Sequence, residues 1–169
     1  MKRLGVIALA VALSLASLAI AQDDEPQPQR ITRHGVGKLQ LGMTHKQAFE
    51  MGLVGRKRPG CELGGPDTRS ARLKAPLMGS VNYTQTTPRK VRDITIKGGA
   101  EARGVGIGDT IRDIKDAFPK ARVDHSTDET FLLTLVKIPK DGGGKLRFGV
   151  STETDKITVI GVPYIAFCE

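Results

Sequence analysis

Gly35-Val-Gly-Lys-Leu-Gln-Leu-Gly42-Met-Thr44-His-Lys-Gln47-Ala-Phe49 and Arg103-Gly-Val-Gly-Ile-Gly108-Asp-Thr110-Ile-Arg-Asp113-Ile-Lys115 are two versions of one pattern, 66 residues apart. Each reads as a short apolar strand, a Gly turn, a Thr helix cap and a helix. Thr44 with Gln47 has the form of a capping box, in which hydroxyl and amide side chains each satisfy a backbone N–H of the first turn. Thr110 with Asp113 is a weaker version of the same device. In the first helix Ala48, Phe49, Met51 and Leu53 offer an apolar face, with Gly52 and Gly55 marking its end. In the second, Ile111, Ile114, Ala117 and Phe118 recur at helical spacing until Pro119 stops them.

Alternating segments follow each helix. Residues 80–85 and 91–97 form the first pair, separated by a turn at 86–89. Residues 130–138, 145–150 and 156–162 form the second set, with a Gly-rich loop at 141–144. Leu73 to Leu77 reads as a further short strand, edge-like because of Pro76. At the same offset Val91, Ile94 and Ile96 fall on Ile157, Ile160 and Val162. The expected fold is therefore α+β, with two tandem helix-plus-antiparallel-meander repeats, 34–98 and 103–169. They share one sheet and carry the helices on one face, because neither could bury its sheet alone.

The N-terminus reads as a secretory signal peptide over 1–21. Lys2 and Arg3 precede an apolar run, and Ala19-Ile-Ala21 is a small-x-small cleavage site. Residues 22–30 read as a disordered, acidic and Pro-rich leader, and 31–169 as a single α+β domain. No later segment is long and apolar enough to span a bilayer. The expected setting is secreted or periplasmic, with the chain a monomer. In that setting Cys61 and Cys168 are expected to form a disulfide, two free thiols being the alternative.

Charge is unevenly placed. Residues 30–104 hold fifteen Lys/Arg against five Asp/Glu, whereas the signs nearly cancel over 105–169. Arg56, Lys57, Arg58, Arg69, Arg72, Arg89, Lys90 and Arg92 are the candidate anion-binding residues. A solvated basic surface is the plainer reading, because no aromatic residues interleave with these clusters.

No catalytic, metal or cofactor site is expected. His45 is expected to be exposed in the first turn of its helix. Asp124-His-Ser-Thr-Asp-Glu129 reads as a polar loop, although Ser126, His125 and Asp128 make a triad on paper. The glycines of 35–37 and 104–108 imitate phosphate loops, but no Lys-Ser/Thr follows them.

Leu41-Gly42-Met43-Thr44 with Gln47, and Gly108-Asp109-Thr110 in the second copy, resemble two groups of exported bacterial modules. These are the β-lactamase-inhibitory-protein-like family and the small outer-membrane assembly lipoproteins (SmpA/OmlA-like). The resemblance implies helix-plus-meander repeats and a non-enzymatic, protein-binding role. The chain departs from both in lacking a cysteine pair within each repeat, a lipobox Cys and an aromatic-rich surface. The leading expectation is an exported non-enzymatic module that binds a protein or envelope component through its sheet face. Polyanion binding by the basic first repeat is the alternative, and an enzyme using the 124–129 loop is a remoter one.

Overall fold

A computed structural model of the chain describes residues 27–139 and 145–167. The expected signal peptide, most of the leader, the loop at 141–144 and Cys168 lie outside them. In chain order the elements are β1 (Gln29–Thr32), β2 (Gly35–Val36), β3 (Leu39–Gln40), α1 (His45–Glu50), β4 (Arg58–Pro59), β5 (Arg69–Arg72), β6 (Met78–Tyr83), β7 (Val91–Gly98), β8 (Ala100–Glu101), α2 (Ile111–Ala117), β9 (Arg122–Asp124), α3 (Asp128–Phe131), β10 (Leu133–Ile138), β11 (Leu146–Ser151) and β12 (Ile157–Val162). A 3-10 turn at Glu62–Gly64 precedes β5. Among the described residues strand accounts for 42% and helix for 15%, so the helices decorate a largely β structure.

Both capping boxes form. Thr44 Oγ1 accepts from Gln47 N at 3.3 Å, and Gln47 Oε1 accepts from Thr44 N at 2.9 Å. Thr110 Oγ1 accepts from Asp113 N at 3.4 Å, and Asp113 Oδ2 accepts from Thr110 N at 2.8 Å. The Thr110 hydroxyl and amide hold the Asp113 carboxyl below its usual pKa. Each helix buries one residue, Ala48 or Ile114. The wider apolar face expected for α1 is not buried, since Phe49 is 42% and Met51 50% exposed. A six-residue helix has too few turns to hide a broad stripe.

The large sheet has the order β4-β5-β6-β7-β12-β11-β10-β9, and every neighbouring pair is antiparallel. Its inward residues Ala71, Val81, Ile94, Ile96, Val136, Phe148 and Ile160 share one buried cluster with Ala48 and Ile114. At its centre Thr95 faces Gly161, flanked by Ile94↔Val162 and Ile96↔Ile160. Gly42 N donates to Val91 O (2.8 Å) and Val91 N to Met43 O (2.7 Å). Sixty-six residues on, Gly108 N donates to Ile157 O (2.9 Å) and Ile157 N to Asp109 O (2.8 Å). The register slips between Asn82 and Tyr83 in β6 and again between Gly149 and Val150 in β11.

The structure has two sheets where the sequence led us to expect one. The second has the order β3-β2-β1-β8, with β1 parallel to β8 through Gln29↔Ala100 and Arg30↔Glu101. Gln29 and Arg30, assigned to the leader by composition, are thus paired backbone, anchored by buried Ile31. The 73–77 strand does not form. Its neighbour Arg69–Arg72 is the strand instead, and Leu73 makes one isolated bridge to Val54. The strand expected from 130 begins at Leu133, because α3 ends on Leu132 in a left-handed conformation (φ 52°).

Tyr83 is 1% exposed, and its hydroxyl has no hydrogen-bond partner among the described residues. Burial pushes its pKa up to about 12. An unsatisfied buried hydroxyl costs about 1–3 kcal/mol. Tyr83→Phe is therefore expected to raise stability by about 1 kcal/mol in urea denaturation at pH 7, and a loss of stability would contradict the orphaned hydroxyl. The phenol also sets an alkaline limit. In the unfolded chain it ionises near pH 10, in the folded protein near 12, so its contribution is complete below pH 10 and fades as pH climbs to 12. Tyr83→Phe should make the pH 10–12 decline shallower.

Candidate anion-binding grooves

Four of the eight cations singled out in the sequence converge. Lys57, Arg58, Arg69 and Arg89, with Pro59 and Pro66, line a groove of about 360 Å³. Lys57 and Arg89 also border a second groove of about 300 Å³, completed by Thr44, His45, Lys46, Thr87 and Pro88. Arg56 and Lys90 are exposed but line neither groove. Arg72 stands on β5 opposite Ser80. Arg92 is bound by Asp93, its Nε 3.0 Å from Asp93 Oδ2.

A serine hydroxyl aims one guanidinium group, and backbone carbonyls aim the other two. Arg58 sits on β4 opposite Ser70 and donates from Nε to Ser70 Oγ at 3.2 Å, while Ser70 Oγ donates to Pro59 O at 2.9 Å. Arg69 Nη1 donates to the carbonyls of Pro66 and Thr68, both at 2.7 Å. Arg89 Nη1 donates to Asp67 O and reaches Thr84 O. Gln85 Nε2 donates to Gly64 O at 2.9 Å, so the 61–68 loop is tied to the turn between β6 and β7. Thr68 Oγ1 lies 2.8 Å from the carbonyls of both Cys61 and Gly65, which sets the curvature of that loop.

None of Lys57, Arg58, Arg69 and Arg89 forms an ion pair among the described residues. Lys46 pairs with Glu50 at 3.8 Å, but both side chains are largely exposed, and such pairs contribute little. The first groove therefore carries unneutralised positive charge, with guanidinium N–H donors of Arg58, Arg69 and Arg89 left beyond those spent on Ser70 and on carbonyls. His45, Lys46 and Thr87 were missed from the sequence. His45 is half-buried rather than exposed. Its Nε2 lies 3.1 Å from Gly55 O, and its ring stacks on Phe49 at 5.5 Å and meets the edge of Tyr83 at 5.6 Å.

The outer face of the large sheet is arranged differently in its two halves. Across β4 to β7 runs a polar row, Arg58, Ser70, Asn82 and Asp93. Asp93 is fully buried and accepts from Asn82 Nδ2 at 2.7 Å and from Arg92 Nε. The Tyr164 phenol, facing the Asp93 charge, is pushed up to about 12 by burial and then by that charge. Across β10 to β12 the same face is apolar. Leu135 and Val159 enclose Ile165, with Leu133 and Phe167 packed alongside, and Phe167 stacks on Phe131 at 4.2 Å. Residues 163–167 thus lie over the face that the sequence reading left open for a partner.

In the 124–129 loop, His125 Nδ1 lies 2.8 Å from Asp128 Oδ2, and Thr134 Oγ1 donates to Asp128 Oδ1 at 2.9 Å. Ser126 is held through its backbone N–H, which donates to Asp124 Oδ1 at 3.0 Å. Two members of the paper triad meet, and Ser126 serves the turn. The Lys137 ammonium paired with Asp124, and then Ser126, hold the Asp124 carboxyl far below the usual carboxylate range. Gly108, in the second phosphate-loop look-alike, has φ 95° and makes the turn into α2.

Cys61 immediately precedes the 3-10 turn, and its expected partner Cys168 lies outside the described residues. Among the described residues no helix is long and apolar enough to cross a membrane. No protein-family model, curated protein or solved structure matches the chain.

Proposed function

We propose that the chain is an exported, non-enzymatic binding module that holds an anionic polymer of the cell envelope in the two adjoining grooves bordered by Lys57 and Arg89. The carrying observation is the convergence of Lys57, Arg58, Arg69 and Arg89 with no carboxylate partner among the described residues. Structural cations of a solvated surface usually scatter or pair; these share walls, Arg69 and Arg89 being oriented by carbonyls and Arg58 by the Ser70 hydroxyl. The sheet-face reading is weaker, because residues 163–167 cover the apolar half of that face. The export signal at 1–21 and a Cys61–Cys168 bridge fit an oxidising compartment.

The two halves are read as copies of one helix-plus-meander unit. Hydrogen bonds, capping boxes and sheet slips that recur 66 or 67 residues apart support that duplication. It also agrees with the resemblance to the inhibitory-protein-like and assembly-lipoprotein modules. The copies differ in charge, and the grooves belong to the first alone.

Retention on a heparin column tests the anion reading. The protein should elute at a salt concentration well above that of the Lys57→Glu/Arg89→Glu double variant, whose affinity should fall about tenfold or more as screened phosphate- or sulfate-type contacts are lost. Equal elution of the two proteins would remove the proposal. Lys57 is an exposed cation, whereas Arg89 is half-buried and donates to the Asp67 and Thr84 carbonyls, so circular dichroism checks that the double variant keeps its fold and Lys57→Glu alone should lower the eluting salt in the same direction.

A further inference from the structure

The two grooves share a wall. Lys57 and Arg89 border both, while Arg58 and Arg69 face only the first and Lys46 only the second. Resting on the anion-binding reading, we propose that the grooves are adjoining subsites for a single ligand carrying at least two successive tetrahedral oxyanions, as in a chain of phosphate groups. Lys57 and Arg89 then lie between the two anions and bind both.

The donor inventory fits that division. In the first groove Arg58 spends only its Nε on Ser70, and Arg69 spends its Nη1 on Pro66 and Thr68. Each keeps a further pair of N–H groups, the fork that matches two oxygens of one phosphate. The prolines on either side, Pro59 and Pro66, give the first groove walls that offer no N–H and no charge. Arg89 is anchored at Nη1 by Asp67 and Thr84 carbonyls, so its remaining donors are held at the boundary. Besides the shared Lys57 and Arg89, the second groove offers only an ammonium, from Lys46, which Glu50 already pairs at 3.8 Å, and a threonine hydroxyl, from Thr87. That makes it the weaker subsite, one that adds affinity only when a ligand already seated in the first groove extends into it. A linked second anion binds at high effective concentration, so the gain over a single anion exceeds what the second groove would give alone.

Calorimetry of the full chain with inorganic phosphate and with tripolyphosphate, at fixed ionic strength, tests this. Tripolyphosphate should bind with one molecule per chain and at least tenfold more tightly than phosphate. Lys46→Gln should weaken tripolyphosphate at least threefold and leave phosphate unchanged. Lys38→Gln, which removes the same charge from an exposed position outside both grooves, should alter neither. Two tripolyphosphates per chain, or equal effects of Lys46→Gln and Lys38→Gln, would overturn the bridged site while leaving heparin retention intact. Failure of heparin, phosphate and tripolyphosphate alike would instead remove the anion reading on which it rests.

Discussion

Gly161→Ala is expected to destabilise the protein by about 3 kcal/mol. A Cβ at this position would stand 2.4 Å from both the carbonyl carbon and the oxygen of Tyr164, and 2.5 Å from Ile165 N. All three are backbone atoms, so no rotamer change relieves the contact. The chain must then either strain β12 or lift residues 163–167 from the sheet. Lifting them gives up the buried Ile165 side chain, the Arg92 contact with the Tyr164 ring and the Phe131–Phe167 stack. Overpacking costs about 1–3 kcal/mol and exposing an isoleucine about 1.5–3, which together set the magnitude. The urea midpoint measures it, with Gly55→Ala as the comparison, because there the nearest atom is a carbonyl oxygen at an ordinary 3.8 Å. Spectrophotometric titration adds a second reading: release of the segment should bring one phenol down from about 12 toward 10. A stability change under 1 kcal/mol would mean that residues 163–167 are not fastened to the sheet.

The features legible in the sequence are those whose causes are local. Thr44 with Gln47 and Thr110 with Asp113 each close a box within four residues, and both boxes form. Residues 91–97 and 156–162 alternate over a length that fixes one face inward, and they meet at the centre of the sheet. Distant pairing was not legible. Gln29–Thr32 finds its partner in Ala100–Glu101, a two-residue strand with no periodicity to announce it. α3 was hidden because it straddles the polar stretch at 124–129 and the β-favouring run from Thr130, and the left-handed Leu132 that ends it carries no glycine as a signal. The cation cluster was half legible. Counting charge pointed to the half in which four of the eight cations converge, but not to which four: Arg72 stands on β5 opposite Ser80 and lines neither groove. Arg92 was removed by its neighbour Asp93, whose complete burial depends on Asn82 and Tyr164 from other elements. Lys46 joined the grooves because His45, its neighbour on α1, contacts the backbone at Gly55, two residues before Lys57.

The charge difference between the halves raises the question of whether they fold as one body, and Phe148→Ala answers it. Phe148 on β11 is fully buried and packs against Phe118, which closes α2, with ring centroids 5.8 Å apart. Truncation of a buried phenylalanine costs about 3–5 kcal/mol, the larger end applying where strands and helix cannot collapse into the void. Phe148 belongs to the same buried cluster as Tyr83, Val81 and Ile94 from the first half. The chain has two tyrosines and no tryptophan, so in a Tyr164→Phe background its fluorescence reports Tyr83 alone. With one shared core, a cavity in the second half must shift the unfolding of the first. Phe148→Ala should therefore lower the urea midpoint seen at Tyr83 by the same amount as the midpoint seen by circular dichroism. If the Tyr83 transition stayed in place while the circular dichroism signal split into two steps, the halves would be separate folding units, and the cations of the grooves would stand on a module stable without its partner.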